Sequence, residues 1–291
     1  MPELPEVETI RRELRPEIIN KRIIGCRVLR KDIIGYPNAD RFCKGVINET
    51  IIDVQRRAKY LIVRLTSDKS LIFHLRLSGR IFVLNNQKGL KLNGERVIRF
   101  EDGGDEEVRF VRLILELEGR SLIFSEPRAL GRVYLLKNGE RPGCLSGFFK
   151  LGYEPISPEF DFNYFKERLK NRKAMIKSIL LDQSICAGVG NIYSDEALFH
   201  SNIRPTRRAS SLKTEEVFKL LIALKDVINK GIEEFGTTVS DYKRTNGRTG
   251  NFQNFLYVYG REGKLCKVCG SKIVLKKIGN RATRYCPKCQ R

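Results

Sequence analysis

Four cysteines near the carboxyl end constrain this chain more than any other feature. Cys266 and Cys269 form one Cys-x-x-Cys pair and Cys286 and Cys289 form another, with 16 residues between the pairs. That spacing fits a tetrahedral four-thiolate zinc site, in which each short knuckle grips one edge of the metal and the intervening hairpin closes the loop. Four thiolates leave no open coordination position, so one structural Zn2+ is expected. Disulfides are the alternative pairing. Lysines and arginines crowd the same stretch from Lys264 to Arg291, which makes a metal-braced basic hairpin suited to phosphate contact.

The basic character extends over the whole chain. Lys and Arg number 55 against 34 Asp and Glu, a formal charge of +21 over 291 residues. A domain so basic repels itself unless an anionic partner offsets the charge, and nucleic acid is the leading partner class. A solvated basic surface or a membrane-surface protein is the blander alternative. Hydrophobic residues make up 41%, enough for a core and too many for a disordered chain. No apolar run reaches the ~20 residues that span a bilayer. The start lacks the basic and apolar segments of a secretion signal. An intracellular, cytoplasmic and nucleoid-associated protein is therefore expected, with reduced cysteines. Cys26, Cys43, Cys144 and Cys186 are scattered, and small core positions are expected for them.

Periodicity divides the chain. Leu4, Val7, Ile10 and Leu14 share one face of a helix over 3–19. From about 22 to 136 the pattern is that of strands, at 59–65, 71–77, 80–84, 96–100, 108–117, 121–124 and 132–136, and it reads as a β-sandwich or barrel. After a break at Arg141-Pro142-Gly143, helices are expected at 161–170, 173–183, 192–200 and 212–235. The last carries Val217, Leu220, Leu221, Leu224, Val227 and Ile228 as its buried stripe and Gly236 as its stop. The fold class is α+β, in three parts: 1–140, 141–260 and 261–291. The polar loop 241–251 is expected to be mobile.

The amino end carries chemistry. Removal of Met1 would leave Pro2 with a free secondary amine of pKa about 8, partly neutral near pH 7 and able to attack a sugar C1′ as a Schiff-base nucleophile. Glu3 stands beside it, and Glu6 lies one helical turn on. Proline and acids are also ordinary helix starters, so composition alone leaves this open.

Pro2-Glu3-Leu4-Pro5-Glu6-Val7-Glu8-Thr9 resembles the opening of the bacterial formamidopyrimidine-DNA glycosylase family, relatives of endonuclease VIII. Gln55-Arg56-Arg57-Ala58-Lys59-Tyr60-Leu61, His74-Leu75-Arg76-Leu77-Ser78-Gly79 and Gly188-Val189-Gly190-Asn191-Ile192-Tyr193 resemble further family segments. Gly236-Thr237-Thr238, Val258-Tyr259-Gly260-Arg261 and the cysteine tail follow in family order, so the resemblance covers essentially the whole chain.

The resemblance implies an N-terminal helix and β-sandwich domain facing a helix-two-turn-helix domain with a C-terminal zinc-finger hairpin, with DNA in the basic cleft. It implies a base-excision-repair glycosylase with abasic-site lyase activity that rotates a damaged nucleotide out of the duplex. Carried over by position, Pro2 is the nucleophile, Glu3 the acid/base, Lys59 a second catalytic cation, Glu6 a supporting carboxylate and Arg281 the zinc-finger arginine that grips phosphate. His74, Leu77, Arg128, Leu130, Lys173 and Asn191 are the implied DNA contacts, with Lys173 opening a helix. The partner is double-stranded damaged DNA, and a monomer without membrane or obligate protein partner is expected. Oxidised purines and formamidopyrimidines lead as lesions. An endonuclease VIII-like pyrimidine enzyme and a non-catalytic lesion binder are the alternatives.

Three positions depart from the family pattern. Members that remove oxidised purines usually fill the vacated stack with Met, Arg and Phe; here the positions hold Leu77, Arg128 and Leu130, and Ala129 replaces a second arginine. The stretch 86–110 is longer and more charged than the family pattern and lacks its histidine. Leucine can wedge but offers no aromatic face. Weakened discrimination of the opposite base is expected.

Overall fold

A computed structural model of the chain describes residues 2–85, 90–99, 106–238, 242–245 and 247–291. They form two compact units. One comprises Pro2, Glu6–Phe149 and Thr237–Gly250; the other comprises Glu3–Pro5, Lys150–Gly236 and Asn251–Arg291.

Helix α1 (Leu4–Ile18) buries Leu4, Val7, Ile10 and Leu14 as its periodicity predicts, and Ile18 besides. Strands β1 (Ile23–Val28) and β2 (Ile34–Tyr36) follow, then α2 (Ala39–Val46), β3 (Ile51–Arg57), β4 (Tyr60–Leu65), β5 (Lys69–His74) and β6 (Arg80–Asn85). Next come β7 (Leu90–Asn93), β8 (Arg96–Arg99), β9 (Glu106–Val108), β10 (Val111–Leu117), β11 (Arg120–Ser125), β12 (Arg132–Lys137) and the short α3 (Ser146–Phe149). One sheet runs β1-β10-β11-β6 and another β2-β12-β5-β4-β3. Their inner faces share a core in which Phe73 of β5 meets Phe124 of β11 edge to face at 5.9 Å. In β4 only alternate residues Leu61, Val63 and Leu65 are buried, as period two requires. Both faces of β10 are buried. Its Ile114 joins Phe82, Ile123 and two residues of the small β7-β8-β9 sheet, Val97 and Val108, in a separate cluster. Strands β8 and β9 thus supply part of an apolar cover for the outer face of a sheet.

Helix α2 escaped the sequence reading because it spans only 8 residues within a strand-rich stretch. Its N-cap is Asn38, whose side chain accepts from Arg41 N. At one pair it departs from the expectation of reduced cysteines. α2 sets Cys43 against Cys26 of β1 with Cα atoms 5.4 Å apart, and the two form a disulfide. Compartment reasoning knows nothing of that juxtaposition. Of the remaining pair, Cys186 is a buried core residue as expected, whereas Cys144 is exposed.

The second unit contains α4 (Phe162–Leu169), α5 (Ile176–Leu181), α6 (Asn191–His200), α7 (Thr214–Glu233) and the hairpin β13 (Val274–Ile278) and β14 (Arg281–Tyr285). The six stripe residues of α7 are all buried, and Gly236 ends the segment at φ +80°. Among the described residues, no helix is long and apolar enough to cross a membrane.

The expected mobile loop 241–251 falls partly on Asp241 and Asn246, outside the described residues. Its described part is tied to α1. Glu13 accepts from Arg244 Nε, from Thr245 N at 3.0 Å and from Thr245 Oγ1 at 2.9 Å, and Tyr242 is buried in the sandwich core.

Candidate active site

In the second unit the start of the chain is pressed onto the turn before α6. Leu4 N donates to Gly188 O at 3.1 Å, and Glu3 Oε1 accepts from Ile192 N at 2.9 Å. Glu3 is 2% exposed and sits where first-turn N–H groups and the helix dipole favour a carboxylate. Glycine is required on both sides of Val189. A Cβ on Gly190 would lie 2.3 Å from the Glu3 carboxyl carbon, and one on Gly188, at φ +89°, would lie 2.7 Å from Leu4. Gly190 makes room for the acid and Gly188 for Leu4.

Glu6, in the first unit, is also buried, and its Oε1 accepts from Thr237 N at 2.7 Å. It anchors the chain where that unit resumes. Pro2 is buried.

Lys59 lies in the two-residue turn joining β3 and β4, not in the strand itself, with Ala58 at φ +52°. It is nearly fully buried. His74 ends β5, stands edge-on to Tyr60 at 4.4 Å, and its Nδ1 accepts from Arg76 N at 3.1 Å. Burial, reinforced by the charges of Arg76 and Lys59, pushes its pKa down to about 3. The imidazole is thus neutral and buried, and it holds the backbone of Arg76. Leu77 follows, half-buried. On the turn after β11, Arg128 and Leu130 are exposed and Ala129 has φ +54°.

Asn191 opens α6, and its Nδ2 donates to Ala282 O at 2.8 Å on β14. Its buried Oδ1 has no hydrogen-bond partner among the described residues. Lys173 is exposed and precedes α5, which begins at Ile176, so it stands ahead of the helix rather than opening it. Arg281 is exposed at the start of β14.

The sequence reading missed three charged residues. Lys177 is fully buried and donates to Asn191 O at 3.0 Å, Ser194 Oγ at 2.7 Å and Asp195 Oδ1 at 2.5 Å. Burial pushes the Lys177 amine down and the Asp195 carboxyl up, and their mutual attraction opposes both. The other Asp195 oxygen accepts from Arg284 N at 3.1 Å. Glu196 accepts from the N–H groups of Tyr257, Val258 and Tyr259 at 2.9, 3.0 and 2.8 Å. The only signal in the sequence was Asp195-Glu196 inside an otherwise uncharged helix.

The cysteine tail behaves as its spacing predicts. The four sulfurs lie within 4.8 Å of one another, with Cys269–Cys286 at 3.4 Å and Cys266–Cys289 at 3.9 Å. Thiolates about 2.3 Å from one zinc in a tetrahedron sit ~3.8 Å apart, so the donor set fits the metal.

Residues 1–133 match the model of the formamidopyrimidine-DNA glycosylase N-terminal domain, 151–243 that of the formamidopyrimidine-DNA glycosylase H2TH domain, and 263–291 that of the zinc finger found in FPG and IleRS. The chain belongs to the formamidopyrimidine-DNA glycosylase family. It is 40% identical to the formamidopyrimidine-DNA glycosylase of Pelotomaculum thermopropionicum, over 100% of this chain and 99% of the relative. It is 38% identical to that of Geobacillus kaustophilus, over the full length of both. Among solved structures, a Lactococcus lactis FPG mutant in complex with Fapy-dG-containing DNA aligns with TM-score 0.87 and 31% identity over the full length of both chains. The MutM (FPG) protein of Thermus thermophilus aligns with TM-score 0.84 and 36% identity over 99% of this chain and 98% of that one. The four-cysteine tail is thus a structural zinc site of the family type.

Proposed function

We propose that this chain is a base-excision DNA glycosylase and abasic-site lyase that acts on oxidised purines and formamidopyrimidines. The observation that carries the reading is full-length family membership together with an amino end that begins Pro2-Glu3. The Pro2 amine, freed by loss of Met1, attacks C1′ of the flipped nucleotide, and the C1′–N bond breaks as the base leaves with a proton. The amine's lone pair then forms an iminium. Glu3 delivers a proton to the sugar ring oxygen and shuttles protons thereafter. Loss of the C2′ proton expels the 3′ phosphate, and a second elimination expels the 5′ phosphate. Water finally releases Pro2. Lys59 supplies positive charge for the eliminations.

Glu6 and His74 act indirectly in this reading, the first by holding Thr237 and the second by holding Arg76. Leu77, Arg128 and Leu130 fill the vacated stack, while Lys173, Asn191 and Arg281 hold phosphates. The zinc braces the hairpin that carries Arg281. The protein works as a monomer on duplex DNA in the nucleoid.

Borohydride trapping tests the reading, on one duplex with 8-oxoguanine and another with an abasic site, comparing wild type with Pro2→Gly. A covalent adduct on both, lost in the variant, is expected. An adduct on the abasic duplex alone would overturn the purine assignment. No adduct on either, with Met1 removal verified by mass, would overturn the chemistry.

A further inference from the structure

Glu126 is wholly buried beneath the turn that carries Arg128 and Leu130. Its Oε1 accepts from Ser78 Oγ and from Arg128 N at 3.2 Å, and its Oε2 accepts from Leu130 N and from Gly131 N at 3.2 Å. Its backbone carbonyl accepts from Nε of the buried Arg112 at 2.8 Å. Neighbouring glycines let the chain close around it. A Cβ on Gly131 would lie 2.8 Å from Phe124 and 3.1 Å from Glu126 Cγ, and one on Gly79 would lie 2.6 Å from Leu75 O. One carboxylate therefore ties two separate segments: 76–79, through the hydroxyl next to Leu77, and 127–131, through three backbone amides.

We propose that Glu126 is a positioning residue that sets Leu77, Arg128 and Leu130 in register, and thereby governs lesion excision and opposite-base preference. This rests on the glycosylase reading above. Leu130 and Arg128 are exposed and Leu77 is half-buried, so their placement depends on how the backbone beneath them is held. Ala129, between the two exposed side chains, holds φ +54°, a conformation a non-glycine residue keeps only where its surroundings impose it. The amides of its neighbours, bound to the carboxylate, hold it, together with Arg132, whose Nη1 donates to Ala129 O at 2.8 Å. With Leu at both wedge positions, placement rather than an aromatic face must do the filling.

The test uses Glu126→Gln, which keeps the shape but turns one acceptor into a donor facing N–H groups. Ser78→Ala is the gentler second variant should the first not fold. Single-turnover excision of 8-oxoguanine opposite each of four bases is measured beside lyase activity on a preformed abasic site. A loss of about tenfold or more in excision is expected, the scale of a mispaired buried hydrogen bond, with flattened opposite-base ratios and lyase activity within about threefold of wild type. Unchanged ratios in the folded variant, or excision and lyase activity falling in parallel, would overturn the proposal. Failure of the glycosylase reading would appear instead in wild type, as no product from either duplex. In that event the fluorescence of a 2-aminopurine opposite an uncleavable abasic analogue still decides. An unstacking signal that falls in Glu126→Gln supports the positioning role, and an unchanged one overturns it.

Discussion

Each unit buries a carboxylate that gathers three consecutive or nearly consecutive backbone amides. In the first, Glu126 holds the amides of residues 128, 130 and 131; in the second, Glu196 holds those of 257, 258 and 259. Their surroundings differ. The chain held by Glu196 runs on into the zinc finger, where Asp195 grips Arg284 N and four thiolates grip a metal. The turn held by Glu126 is also tied by Arg132, whose guanidinium donates to Ala129 O at 2.8 Å and to Gly131 O at 2.7 Å, and it presents exposed side chains. A segment that leads into a metal site is a scaffold. One that presents exposed side chains from a tied backbone is where small substitutions can retune function without unfolding the unit.

The largest effect should come from the metal. Chelation should abolish DNA incision and melt the tail while the sandwich stays folded, because structural zinc supplies about 10–16 kcal/mol in isolated fingers. Metal analysis beside incision assays and circular dichroism checks it, and a zinc-free protein that still nicks DNA breaks the comparison. Next, Lys177→Met leaves Asp195 buried without its cation and should cost about 3–5 kcal/mol in urea unfolding. A near-neutral result would mean that the pair is dispensable to the scaffold. Glu196→Gln should cost about 1–3 kcal/mol and quicken zinc loss to a chelator. Ser78→Ala should cost about 1 kcal/mol or less of stability yet shift opposite-base ratios. If it destabilises as much as Glu196→Gln, the two carboxylates do not differ as described.

Near neutral pH the smallest effect concerns protons. Both histidines have pKa values lowered by burial, His74 to about 3. The unfolded chain takes up a proton at His74 below pH ~6.5 and the folded one does not. Its contribution to stability is therefore complete above that pH and is lost as pH falls toward about 3. Imidazole NMR should show no His74 titration near 6.5, and a midpoint there would place the ring in solvent.

The sequence by itself determined the zinc site, the α7 stripe and most strands. These depend on local spacing or periodicity, which survive without coordinates. It named Glu3 and Asn191 but could not say that Glu3 binds the α6 turn or that Gly190 makes room for it. The tertiary structure alone decided that His74 is buried and neutral, that Cys26 meets Cys43, and that Glu126, Lys177, Asp195 and Glu196 organise loops. Each of these depends on groups far apart in the chain being desolvated together. A charged residue in a basic chain looks solvated until burial removes its water, and burial is a property of the fold rather than of the neighbours in sequence.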